Sequence, residues 1–198
     1  MSGSARTRGR PAAATREEVL EAAMQRFLRG RRIDVQAIAG ELGLARATIY
    51  RWFGSREELI GEVLFNAADP LLQEARREAR ARGGSALLNT FDGFNRRLAD
   101  APALRGFVES ERDAAVRIIT SGAGTLQPRI VARIQEVIEE EIEAGGYRAP
   151  VEPSTLAYAI VKLAEAFLFN DAAAGMRGDV DRLREVEAAL LGVSPGAA

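Results

Sequence analysis

The stretch DVQAIAGELGLARATIYRWFGSREEL, from Asp34 to Leu59, decides how this chain is read. Asp34 is a good helix N-cap, and Val35, Ile38, Ala39 and Leu42 recur behind it at helical spacing, so a short helix with one apolar stripe is expected. Gly43 tolerates the left-handed conformation that ends a helix, which lets the chain reverse within about three residues and start a second helix near Ala45. That is helix-turn-helix geometry. In the second helix Ile49 and Phe53 fall four apart and face inward with Leu44, leaving Arg46, Ala47, Thr48, Tyr50 and Arg51 on the outside. Two guanidiniums, a hydroxyl, a phenol and a small methyl suit a DNA major groove, where arginine reads guanine edges and hydroxyls bond phosphates. Gly54 stops this helix. Ser55 with Glu58 forms a capping box that opens a third, and Arg56 in its first turn is expected to clamp a phosphate.

Towards the N-terminus, Thr15 with Glu18 forms another capping box. It opens a helix to about Leu28 with Val19, Leu20, Ala23, Met24 and Phe27 along its inner stripe, packed behind the reading helix. Residues 1–14 read as a flexible arm rich in Ser, Gly, Ala and Arg. Arg8 and Arg10 in that arm either follow a narrow minor groove or belong to a solvated tail. The first 56 residues hold eleven arginines against five acids, a net of +6, while the rest of the chain carries −7. Such a basic head on an acidic body attracts phosphate at one end only.

Towards the C-terminus, the helix from Ser55 is expected to end near Ala68. Asp69-Pro70 supplies an N-cap and a first-turn proline, so a new helix is expected from there to about Arg82, with a hinge between head and body. Gly83-Gly84 should stop that helix and Ser85 cap the next, whose apolar residues include Leu87, Leu88, Phe91, Phe94 and Leu98. A loop at Asp100 to Pro102, one or two helices over 104–119, a strong helix over 126–144 and a last helix over 179–191 follow. Glu139, Glu140, Glu141 and Glu143 near the end of the 126–144 helix read as a solvated face. The 153–170 helix is apolar nearly all round and so needs a second surface. Helices 153–170 and 179–191 are therefore expected to pair across a two-fold axis into a four-helix bundle, making a homodimer. The fold class is all-α with about nine helices, divided into the arm 1–14, a helix-turn-helix domain 15–68 and an effector-binding and dimerisation domain 69–198.

Absences narrow the function. The chain of 198 residues has no cysteine and no histidine, which removes disulfides, cysteine nucleophiles, histidine bases and the usual zinc sites. No cofactor or metal is expected. No long apolar run suggests a membrane span, so a soluble, cytoplasmic protein is expected.

The block from Val19 to Leu64 resembles the N-terminal domain of the TetR family of one-component bacterial transcription regulators. The resemblance is densest in ATIYRWFGSREEL and in IAGELGLARATIY before it, where the turn glycine, the Thr-x-Tyr pair and Phe53 agree. The segment between Phe27 and Ile38 is shorter than that family usually shows, and Asp34 stands where a hydroxyl residue is common. The resemblance implies a dimer whose central helices, roughly 86 to 144, enclose an apolar pocket for a small effector. Phe91, Phe94, Asn95, Phe107, Glu111, Arg112, Glu165, Phe169 and Asn170 are candidates to line it. Glu165 among apolar neighbours either contacts a ligand or lies at a wet edge. Overall similarity of the body points to the branch of the family that controls degradation of quorum-sensing signals and responds to lactones. The expected function is a homodimeric repressor on a palindromic operator, released by a small apolar effector. A sequence-tolerant architectural DNA binder is the alternative, and a helical-bundle enzyme a distant third.

Overall fold

The computed structural model describes residues 14–169 and 179–196, and among them it contains ten α-helices and no strand. The arm residues Arg8 and Arg10 and the candidate Asn170 lie outside the described residues.

Three short helices build the head: α1 (Arg16–Leu28), α2 (Val35–Leu42) and α3 (Arg46–Phe53). Local chemistry sets their ends. The Thr15 backbone N–H donates to Glu18 Oε2 at 2.7 Å and the Glu18 N–H donates to Thr15 Oγ1 at 3.2 Å, a complete capping box. Asp34 Oδ1 accepts from the Gln36 and Ala37 N–H groups at 2.8 and 3.3 Å. Those bonds, Ala37 first and then Gln36, hold its carboxyl below the ordinary value. Gly43 sits at φ 65°, in the left-handed region that the turn into α3 requires. Val19, Ala23, Phe27, Ile38, Ile49 and Phe53 then meet in one buried core.

The largest departure from the sequence expectation is α4 (Arg56–Glu78), a single helix of 23 residues with Pro70 inside it. No break or hinge occurs at Asp69-Pro70. Interior proline costs a helix about 3 kcal/mol, and packing on both sides offsets it. Leu59, Ile60, Val63 and Leu64 are buried before Pro70, and Leu72 and Ala75 after it. Asp69, read as a cap, instead accepts from Arg133 Nε at 3.0 Å and from Gln73 Nε2 at 2.5 Å.

The body comprises α5 (Gly83–Asp100), α6 (Pro102–Ser110), α7 (Arg112–Thr120), α8 (Leu126–Glu143), α9 (Pro153–Phe169) and α10 (Val180–Leu191). Gly83 and Gly84 begin α5 rather than ending the previous helix, and Ser85 is not its cap. Two long-range contacts explain this. The Gly83 N–H donates to Glu141 Oε2 at 2.9 Å, and at Gly83, with φ 63°, an added Cβ would lie 2.0 Å from the Gly146 carbonyl oxygen. The acidic end of α8 is accordingly not a uniformly solvated face, since Glu141 caps α5 and Glu140 pairs with Arg76 of α4. The expected loop at 100–102 shrinks to Ala101, and 104–119 resolves into α6 and α7. A second core of Leu72, Leu87, Leu88, Phe91, Ile138 and Leu156, with their neighbours, fills the centre of the body.

Candidate nucleic-acid interface and ligand cavity

On α3 the inward Ile49 and Phe53 are buried, and this anchors the helix so that Arg46, Ala47, Tyr50 and Arg51 are exposed while Thr48 is half-buried. Tyr50 is one of the few large hydrophobic side chains left open among the described residues, at 42% exposure. Leaving a phenol in water with no core role costs apolar burial that a partner surface would recover. The same five residues were picked out by helical spacing alone, because a helix of eight residues has only one face free once its core contacts are made.

Arg56 departs from the phosphate-clamp expectation. Its Nε donates to the Ile33 carbonyl at 2.7 Å, and its Nη2 donates to both carboxylate oxygens of Glu111 at 2.8 Å. Arg32 lies 3.6 Å from the same carboxylate. Glu111 occupies the joint between α6 and α7 with φ −132° and ψ 46°, and its side chain meets the head at Arg56 rather than the interior of the body. Phe107 likewise turns to the head, meeting Phe27 edge-on with ring centroids 6.4 Å apart. These two residues bind head to body, and Arg117 of α7 adds an exposed pair with Glu57 at 2.9 Å. Glu111, Phe107 and Arg112 are absent from the lining of the apolar cavity of the body, and that part of the sequence expectation is corrected.

The cavity, about 280 Å³, lies between α4, α5, α8 and α9, with Phe27 and Leu28 of α1, Leu104 of α6 and Ile119 of α7 also on its wall. Phe91, Phe94, Asn95, Glu165 and Phe169 line it with aliphatic side chains such as Leu71, Leu98, Ile130 and Leu168. It is about twice the 150 Å³ void that accommodates benzene, so a guest of about a dozen non-hydrogen atoms fits.

Two polar stations interrupt the apolar wall. At the first, Glu165 accepts from Gln127 Nε2 at 2.8 Å and from Lys162 Nζ at 2.8 Å. Gln127 and Lys162 both donate as well to the Thr120 carbonyl, at 3.0 and 3.2 Å, so the end of α7 is held by the same cluster. At the second, Asn95 Nδ2 donates to Glu187 Oε1 at 2.9 Å. Glu187 of α10 is fully buried, its Oε2 has no partner among the described residues, and burial pushes its carboxyl up to about 8, against the Asn95 bond that opposes the shift. Sequence reading missed Gln127, Lys162 and Glu187. Lys162 stands three residues before Glu165 and carried a local signal, whereas Gln127 and Glu187 meet their partners 38 and 92 residues away and carried none.

A helix-turn-helix head with an open reading face, joined through one long helix to a helical body with an apolar cavity, has the architecture of a DNA-binding transcription regulator. Residues 19–63 match the family model of bacterial regulatory proteins of the tetR family, and residues 82–192 match that of the tetracyclin repressor-like C-terminal domain. The chain belongs to the TetR family, whose members are regulators and not enzymes. Its fold is similar to that of the TetR-family transcriptional repressor QsdR of R. erythropolis, with a TM-score of 0.84 and 24% identity over 92% of this chain and 97% of that one. The TetR-family regulator PfmR of Thermus thermophilus aligns at a TM-score of 0.44 and 19% identity, over 91% of this chain and 97% of that one. No curated protein matches the chain in sequence. Among the described residues no helix is long and apolar enough to cross a membrane.

Proposed function

We propose that this regulator is a homodimeric repressor that binds a palindromic operator through α3 and is released when a small, largely apolar effector enters the body cavity. The observation that carries the reading is the pairing of an exposed Arg46, Ala47, Tyr50, Arg51 face with a 280 Å³ apolar cavity, both resting on the same helix α4. One short reading helix gives little affinity, whereas two held about 34–36 Å apart engage successive major grooves. A dimer through α9 and α10 fits the exposed Tyr158 and Val186 on those helices, at 52% and 39% exposure. Effector and operator then oppose one another by linkage, each weakening the other by the same factor.

Fluorescence anisotropy on DNA from beside the protein's own gene, against scrambled DNA at physiological salt, tests this. The expected result is about 10³-fold preference for the native fragment, two protomers per site, and release on adding an apolar effector, lactones that carry an amide N–H or a hydroxyl being the first class to try. Equal, strongly salt-dependent binding to both DNAs would favour an architectural binder instead.

A further inference from the structure

The wall of the cavity says more about its guest than that it is apolar. Among the described lining residues Glu165 is the one charged side chain, and no arginine, lysine or histidine faces the space. Glu165 is 8% exposed, with one carboxylate oxygen on the Gln127 amide and the other on the Lys162 ammonium. Each carboxylate oxygen has two lone pairs, so after these bonds the group still has acceptor capacity and no donor to offer. Gln127 adds no donor either, because both hydrogens of its amide nitrogen are taken, one by Glu165 and one by the Thr120 carbonyl. The nearest cation, Lys162, is engaged twice, by Glu165 and by that same carbonyl. At the second station one Asn95 amide hydrogen is held by Glu187.

We infer that the effector is an uncharged amphiphile whose polar end donates a hydrogen bond, such as an amide N–H or a hydroxyl, to the Glu165 carboxylate, and that fatty carboxylates are rejected. This deepens the proposed function and rests on its reading of the cavity as the effector site. An anionic head would lose its hydration, find no free cation among the described lining residues and lie against the Glu165 carboxylate. A donor head replaces its water bonds with a charge-assisted one. The alkyl part takes the remaining wall between Phe91, Phe94, Leu98, Ile130 and Leu168.

Decanamide and decanoate test this. They share chain length and number of non-hydrogen atoms, fit a space for about a dozen such atoms, and differ in that decanoate is ionised at about pH 7.5. Affinity of the full chain for each is read by titration calorimetry, and operator release by anisotropy. The expected result is decanamide at least about tenfold tighter than decanoate, with Glu165→Gln closing most of that gap by admitting decanoate. Comparable or tighter binding of decanoate to the unmodified protein overturns the inference while leaving the cavity as the effector site. A preference unchanged in a folded Glu165→Gln protein also overturns the assignment to Glu165. Failure of both compounds to bind overturns the inference together with the cavity reading on which it rests. The wild-type comparison decides even if the variant does not fold.

Discussion

Head and body use their glycines and their charges in opposite ways. In the head, Gly43 ends α2 in open space, with nothing within 4 Å of an added Cβ, and the arginines of α3 point to solvent. In the body, Gly83 is wedged against the Gly146 backbone, and carboxyl groups such as Glu141, Glu165 and Glu187 are engaged by partners far along the chain. The head is assembled from local rules and keeps its polar face for something outside itself. The body uses polar groups to fix its own helices.

The sharpest way to break this contrast is to substitute the two glycines. Gly83→Ala should cost about 4 kcal/mol or more, because backbone cannot yield as a side chain would. Gly43→Ala should cost only the left-handed penalty of about 1–2 kcal/mol. Denaturant unfolding of both variants measures the difference, and equal costs would remove the distinction.

Next in size is the pH response of the body. The folded protein holds the Glu187 proton up to about pH 8, while the unfolded chain releases it near the ordinary 4.5. The folded state therefore binds more protons in that window, and its stability falls as pH rises through it, by up to about 1.4 kcal/mol per unit. Glu187→Gln should flatten the slope between those limits, measured as unfolding free energy against pH.

On the head, Arg46→Ala should relax base preference at one position of each half-site by about 1–3 kcal/mol and leave stability unchanged. Binding curves on operator variants check this. The smallest effect sharpens the join between the two regions. Removing Glu111 leaves the half-buried Arg56 guanidinium with the Ile33 carbonyl but without its counter-charge, so Glu111→Ala should cost about 1–2 kcal/mol, and a double-mutant cycle with Arg56→Ala should recover most of it as coupling.

The same contrast explains what could be read in advance. The turn at Gly43, the caps Thr15, Asp34 and Ser55, and the outward face of α3 depend on residues within four positions of one another, so spacing sufficed. Asp69-Pro70 and Gly83-Gly84 obey equally good local rules and were misread, because Leu72 and Ala75 packing below and Glu141 and Gly146 from a distant turn override them. In the cavity, Phe91, Phe94, Asn95, Glu165 and Phe169 stand on the wall, and their interior position was legible because large apolar side chains and an isolated acid within an apolar run mark the interior. Glu111 and Phe107 were misplaced because nothing in their neighbourhood says which side of α6 meets the head. Arg56 was misassigned for the same reason, its partner being 55 residues away.

The continuity of α4 through Pro70 bears on how such a protein can be recombined. An exchange of heads between relatives cut at Asp69-Pro70 would divide a 23-residue helix and separate Leu64 from Leu72 on its one buried stripe. The helix has to travel whole. A productive crossover then falls in the four residues 79–82 between α4 and α5, and the transplanted half carries with it the α4 side of the cavity, Leu71 included. A borrowed head would thus bring part of its former owner's cavity wall.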